Sequence, residues 1–138
     1  FTSKTITDKG KGKKKILSKG TLIMSFKLSI GKLGILKEEM YTNEAICNFE
    51  WVSDEINTEY IYYYLNSINV ESFGSQAVKG KTLNTENLNS IIIKLPVLEE
   101  QQKIADFFTS IDDKILIIEK SLEKLKNYKK GLLQKMFI

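Results

Sequence analysis

The sequence predicts an α+β fold: a small mixed α/β domain followed by one long coiled-coil helix. Three observations carry that expectation. The stretch "TLIMSFKLSI" alternates apolar and polar residues, the period of a half-buried strand. "NTEYIYYYLNSI" switches to helical spacing. From Leu95 to Phe137, "LPVLEEQQKIADFFTSIDDKILIIEKSLEKLKNYKKGLLQKMF" then repeats its apolar residues in steps of four and three, which is the 3.5-residue period of a coiled coil.

Each element has its own signal. The opening "KTITDKGKGKKKILSKG" is rich in glycine and lysine, has no sustained period, and reads as a loop. In the first strand Leu22, Met24, Phe26, Leu28 and Ile30 share the inner face, and Gly31 and Gly34 permit a turn before "LGIL". A second alternation puts Ala45, Cys47, Phe49 and Trp51 inward and Asn48 and Glu50 outward. Tyr60, Ile61, Tyr64, Leu65 and Ile68 define a helix with Asn57 as its N-cap and Glu59 in its first turn. "SFGSQAVKGKTLNTENL" reads as loop and a short helical turn, and "IIIKL" (91–95) as a short strand. Pro96 sets the start of the long helix, where Glu99 and Glu100 suit the positive end of the helix dipole. The division expected is a domain at 1–95 and the helix at 96–138.

Composition narrows the function. A chain of 138 residues, 42% hydrophobic and 28% charged, builds one core of ordinary size. No apolar run approaches the roughly 18 residues of a membrane span, and no secretory signal opens the chain. It begins at Phe1 and reads as a fragment. One cysteine, Cys47, forms no internal disulfide, and its inward position predicts a buried, inert thiol. All 21 basic residues are lysines and there is no histidine, so the usual general base near neutral pH is missing. Neither a phosphate-binding GxxxxGK[ST] loop nor a GxSxG elbow is present. The acidic pairs Glu99–Glu100 and Asp112–Asp113 read as solvated flanks of the helix. The lone cysteine suits a reducing cytoplasm, and the all-lysine usage with abundant Ile and Asn points to an AT-rich bacterial genome.

The charge is uneven. Residues 1–37 hold ten lysines against Asp8 alone, a net of +9, whereas 38–138 carry a net of −5. A strongly basic first quarter points to a polyanion. Lysines of a glycine-bearing loop, Lys13, Lys14 and Lys15 among them, can follow a phosphate backbone, and the same run also reads as a solvated loop. Ser25, Lys27 and Ser29 on the polar strand face, with Lys32 after the turn, can reach phosphates or base edges, or form an ordinary solvent-facing surface. Lys79 and Lys81 flank Gly80 in the same way. The tyrosines at 60 and 62–64 can stack on bases, although core packing is the commoner use of such spacing.

The long helix exposes a seam of Ile104, Phe108, Ile111, Ile115, Ile118, Leu122, Leu125, Leu132 and Met136, interrupted at Lys129. A helix of about forty residues is roughly 60 Å long and cannot bury that stripe on its own domain, so a partner helix is expected.

The residues from "LPVLEEQQKIADFF" to "LEKLKNYKKGLLQKMF" closely resemble the spacer helix of the DNA specificity subunits of type I restriction–modification systems. "KGTLIMSFKLSIGKLGI", "YTNEAI", "YIYYYLNS" and "VKGKTLN" resemble the second part of a target-recognition domain of that family, which typically has more residues ahead of "SKGTLIMSFK". The resemblance implies a non-catalytic subunit that reads half of a bipartite site on double-stranded DNA. It implies DNA-facing regions at Lys13–Lys15, at "SFKLS" with its turn, and at "VKGKT". It also implies partners: a second recognition repeat, or another copy, paired antiparallel through the helix; methyltransferase subunits; and a restriction subunit. S-adenosylmethionine, ATP and magnesium would be bound by those subunits and none by this chain. The alternative is an assembly module whose truncated recognition domain is inert.

Overall fold

The fold was described from a computed structural model, which describes residues 7, 10, 15–27, 29–73, 75–77, 80–83 and 85–137; for 71, 75–77, 80–82 and 85 it describes the backbone alone. Three strands, β1 (Leu22–Ser25), β2 (Leu33–Ile35) and β3 (Ile46–Asn48), form an antiparallel sheet in the order β2-β1-β3. Helix α1 (Thr58–Ser67) follows, then a 3₁₀ turn at Val70–Phe73 and a hairpin of β4 (Ser75–Ala77) and β5 (Gly80–Thr82). A short α2 (Thr85–Asn89) precedes the 39-residue α3 (Leu98–Met136).

Alternation along β1 builds the core. Leu22 is buried against Tyr60, Ile61, Leu65 and Ala105, while Met24, on the same face, joins Ile30, Val70 and Leu83. One strand face therefore unites two clusters, one facing α1 and α3 and the other facing Val70 of the 3₁₀ turn and Leu83. As read from the sequence, Phe49 and Trp51 pack inward and Asn48 and Glu50 face solvent. Trp51 Nε1–H donates to Thr58 Oγ1 at 2.9 Å, tying the end of that strand to the start of α1. Asn57 caps α1, its Oδ1 accepting from Tyr60 N–H at 2.8 Å.

Several expectations change. The first strand stops at Ser25, because a tight turn draws the following residues together and Ile30 reaches the core through that turn; Leu28 lies outside the described residues. Gly31, at φ 79°, closes that turn, whereas Gly34 sits within β2 opposite Ile23 and has no turn role. Ser75–Ala77 and Gly80–Thr82, read as loop, pair as antiparallel strands. Cys47 is half-buried, its thiol donating to Met24 O at 3.4 Å. Residues 91–95 make no strand. Ile91 and Ile93 pack inward and Ile92 is 84% exposed. Tyr60 and Tyr64 hydroxyls replace the missing partner strand, donating to the carbonyls of Lys94 (2.7 Å) and Ile92 (3.3 Å).

The first turns of α3 belong to the domain. Gln101 and Ala105 are each 1% exposed, and Ile104 packs on the α1 cluster. Beyond Ile111 the helix is exposed at every described position apart from the half-buried Gly131, and it extends about 58 Å in all.

Candidate nucleic-acid interface

The loop joining β1 to β2 is a built turn. Ser25 N–H donates to Lys32 O and Gly31 N–H to Ser25 O, both at 2.9 Å, closing the base. Ser29 N–H reaches Lys27 O at 2.8 Å, and the Ser25 hydroxyl donates to that same carbonyl at 2.9 Å. The exposed side chains of Lys27, Ser29 and Lys32 are therefore carried on a frame held at both ends. The Lys27 ammonium lies 5.4 Å from the centre of the Phe26 ring, a cation–π contact that keeps it beside the sheet.

A second loop meets this turn. Leu83 N–H donates to Phe26 O at 3.4 Å, and the buried Leu83 side chain joins the Met24 and Ile30 cluster. The β4–β5 hairpin is thus attached at the end of β1 from which the Lys27 turn projects. The backbone of Lys81 pairs with Gln76 in that hairpin. Lys13, Lys14 and Lys79, and the Lys81 side chain, lie outside the described residues.

Lys15 is elsewhere. Leu17 pairs with Met40 in continuation of the β1–β2 ladder, beyond its opposite end. There the Lys15 ammonium stands 3.7 Å from Glu50, both side chains more than two-thirds exposed, a pair worth little in stability. Ser25 is half-buried and its hydroxyl proton is engaged inside the turn, so it shapes the loop that presents Lys27 and Ser29.

The junction of the domain with α3 is the feature missed in the sequence. The Gln101 side chain accepts from Asn57 N–H at 2.9 Å and donates to Glu55 O (3.0 Å) and Pro96 O (2.9 Å). Asn57 Nδ2 donates to Gln102 Oε1 at 2.8 Å. Further along α1, the Tyr63 hydroxyl donates to Asp112 Oδ2 at 2.8 Å, so Asp112 is not a mere solvated flank. Tyr63 also packs against Phe108, with ring centres 5.2 Å apart and the ring planes tilted by 33°. Burial is the main cause that holds the Tyr63 phenol above its ordinary pKa, with the Asp112 charge adding to it and the Thr109 hydrogen bond opposing it. The tyrosines of α1 thus serve packing and the helix junction. Gln101 lies one turn before Ala105 on the inner face of α3, a spacing visible in the sequence, but the backbone groups it satisfies are set by the fold.

The family model for the type I restriction modification DNA specificity domain matches residues 2–127. The chain belongs to this family. Among its relatives are the MjaIX specificity subunit of Methanocaldococcus jannaschii, a type I restriction enzyme subunit 30% identical over 127 residues, covering 90% of this chain and 29% of the relative. The MjaVIII specificity subunit of the same organism is 33% identical over 111 residues, covering 78% of this chain and 24% of the relative. The EcoBI specificity subunit of Escherichia coli is 24% identical over 134 residues, 91% and 28% respectively. This specificity-domain chain therefore spans less than a third of the length of those relatives. The same fold occurs in a solved type I R-M system structure described for complex assembly and conformational transition, at a TM-score of 0.69 and 18% identity, covering 86% of this chain and 29% of that one. No helix among the described residues is long and apolar enough to cross a membrane.

Proposed function

We propose that this chain is the reading and spacing part of a type I specificity subunit, non-catalytic itself. In this reading it directs modification and restriction subunits to half of a bipartite DNA site. One observation carries it: in a member of the specificity-domain family, the Lys27–Lys32 turn and the β4–β5 hairpin are joined at one end of a single sheet. Two short loops on a rigid frame suit entry into a groove, with lysine ammoniums on phosphates and hydroxyl or amide groups on base edges. Lysine to guanine, and Asn or Gln to adenine, are the pairings open to a chain without arginine.

Helix α3 takes the second role. Its exposed stripe pairs antiparallel with a second recognition unit and so sets the distance between half-sites. Methyltransferase subunits dock on the assembly and bind S-adenosylmethionine; ATP and magnesium belong to the restriction subunit. The deciding experiment is a selection of random duplex DNA by this chain with its methyltransferase subunit. A split consensus with a constant gap is the expected result. Retained DNA without any consensus, from a complex that still assembles, would leave the spacing role and remove the reading one.

A further inference from the structure

We infer that the contact between Tyr63 and Asp112 sets the angle at which α3 leaves the domain, and through that angle the gap between the two half-sites. Both are positioning residues, acting through the helix and not on the DNA. The inference deepens the reading of α3 as a spacer and rests on it.

Two separated supports fix the direction of a rod, and α1 provides them. At its start, Asn57 N–H donates to Gln101 Oε1 at 2.9 Å and Asn57 Nδ2 to Gln102 Oε1 at 2.8 Å, which holds the root of α3. Ile104 and Ala105 pack into the α1 cluster in between. Tyr63 forms the outer support, its hydroxyl donating to Asp112 Oδ2 at 2.8 Å with Thr109 Oγ1 at 3.3 Å. From Asp113 to Phe137 every position except Gly131 is exposed, so the free stripe of α3 inherits its direction from these contacts.

The phenol is itself held in place. Its ring meets Tyr62 edge-on at 5.1 Å between centres and Phe108 at 5.2 Å, and Phe107 meets Phe108 edge-on at 5.4 Å. Packing therefore directs the hydroxyl at Asp112, and a hydrogen bond to a carboxylate is stronger than one between neutral groups. Asp112 is exposed, and the buried cluster of Leu22, Ile61 and Leu65 closes without it. The pair bears on orientation more than on the core.

The lever is long enough to matter. Gln101 and Asp112 stand about 16 Å apart along the axis, and Leu132 lies about 46 Å from Gln101. A displacement of about 1 Å at Asp112 therefore becomes about 3 Å at Leu132, close to the roughly 3.4 Å rise of one base pair. Without the Tyr63 hydroxyl the outermost support falls back to Phe108, about 10 Å from the root, and the same displacement there grows to about 4 Å. A second recognition unit carried on the free stripe then meets the DNA about one base pair nearer or further.

Two readouts on the complex with its methyltransferase subunit decide the matter. One is the gap in selected random duplex DNA. The other is the spin-label distance between Glu39→Cys on the domain and Lys126→Cys on the free helix, in a Cys47→Ser background with labelled chains diluted by unlabelled ones. Tyr63→Phe and Asp112→Ala should widen the distance distribution by about 2–3 Å and add neighbouring gap lengths, the half-site consensus staying unchanged. Asp112→Asn, whose amide oxygen still accepts, should keep the single gap. Thr58→Val cuts the Trp51 tie and leaves the Tyr63–Asp112 contact intact, so it should lower stability without altering the gap. Unchanged distances in Tyr63→Phe and Asp112→Ala, or a gap altered equally by Thr58→Val, would overturn the inference, and so would wider distances with an unchanged gap. If no chain, the parent included, selects a consensus, the reading of DNA has failed, and the distances alone still decide whether the contact sets the angle.

Discussion

Gln101 is the one buried polar side chain in the described core, and it satisfies groups from three segments: Asn57 N–H, Glu55 O and Pro96 O. Removing it leaves buried donors and acceptors unpaired, each costing about 1–3 kcal/mol. Gln101→Leu, nearly isosteric, is therefore expected to destabilise the domain by about 2–4 kcal/mol in urea unfolding. Tyr63 gives a pH-dependent counterpart. Its phenol titrates above the ordinary tyrosine value of about 10 in the fold, so the folded state keeps a proton that the unfolded chain gives up. The resulting stability is complete below that value and is lost as the pH rises through the folded pKa. Tyr63→Phe should cost about 1 kcal/mol at neutral pH and flatten part of the alkaline loss, read as unfolding midpoints at pH 8 against pH 11. An alkaline loss as steep as in the parent would show that Tyr63 is not its source. At Cys47 burial raises the thiol pKa against two weaker backbone hydrogen bonds, so alkylation in the native state should be slower than in urea.

The β1–β2 turn makes its claim at the level of the element. Gly31 holds φ 79°, where an L side chain costs about 1–2 kcal/mol, so Gly31→Ala should destabilise the domain by that amount and displace Lys27 and Ser29. Gly34 supplies the control. Its backbone needs no positive φ, and an added Cβ would meet Ile23 Cγ1 at 3.9 Å, an ordinary contact. Gly34→Ala should leave stability and DNA binding unchanged. If Gly31→Ala binds selected DNA as tightly as the parent, the turn is not part of the interface. The strand signal at 21–30 was legible because alternation needs only local pleating. Its early end was not, because the turn is made by hydrogen bonds among Ser25, Lys27, Gly31 and Lys32. The same reason explains 91–95, where a β-branched run reads as a strand but the adjacent groups that answer the backbone are tyrosine hydroxyls.

For the whole molecule, the proposed function makes the domain and the free stripe of α3 separable. Ile111, Ile115 and Ile118 replaced together by polar residues should abolish assembly while DNA affinity per chain stays the same. A parallel loss of monomer stability would mean that the stripe also supports the domain. The 58 Å estimate places most of α3 beyond any reach of the domain, as the heptad spacing and length already implied. The expected boundary at residue 95 did not capture how Gln101, Ile104 and Ala105 enter the core. A helix that serves two partners in succession shows one continuous period, and the period does not mark where one partner gives way to the next.

By itself the sequence determined the α+β class, the capped helix at 58–67, the long heptad helix and the family resemblance, since each depends on periodicity, caps or motif order within a local stretch. The tertiary structure alone decided that the Lys27 turn and the β4–β5 hairpin meet, that Lys15 stands apart from them, and that α1 covers the first turns of α3. Those relations bring together residues far apart in the chain, and long-range packing around Leu22 and Met24 has to form before any of them exists.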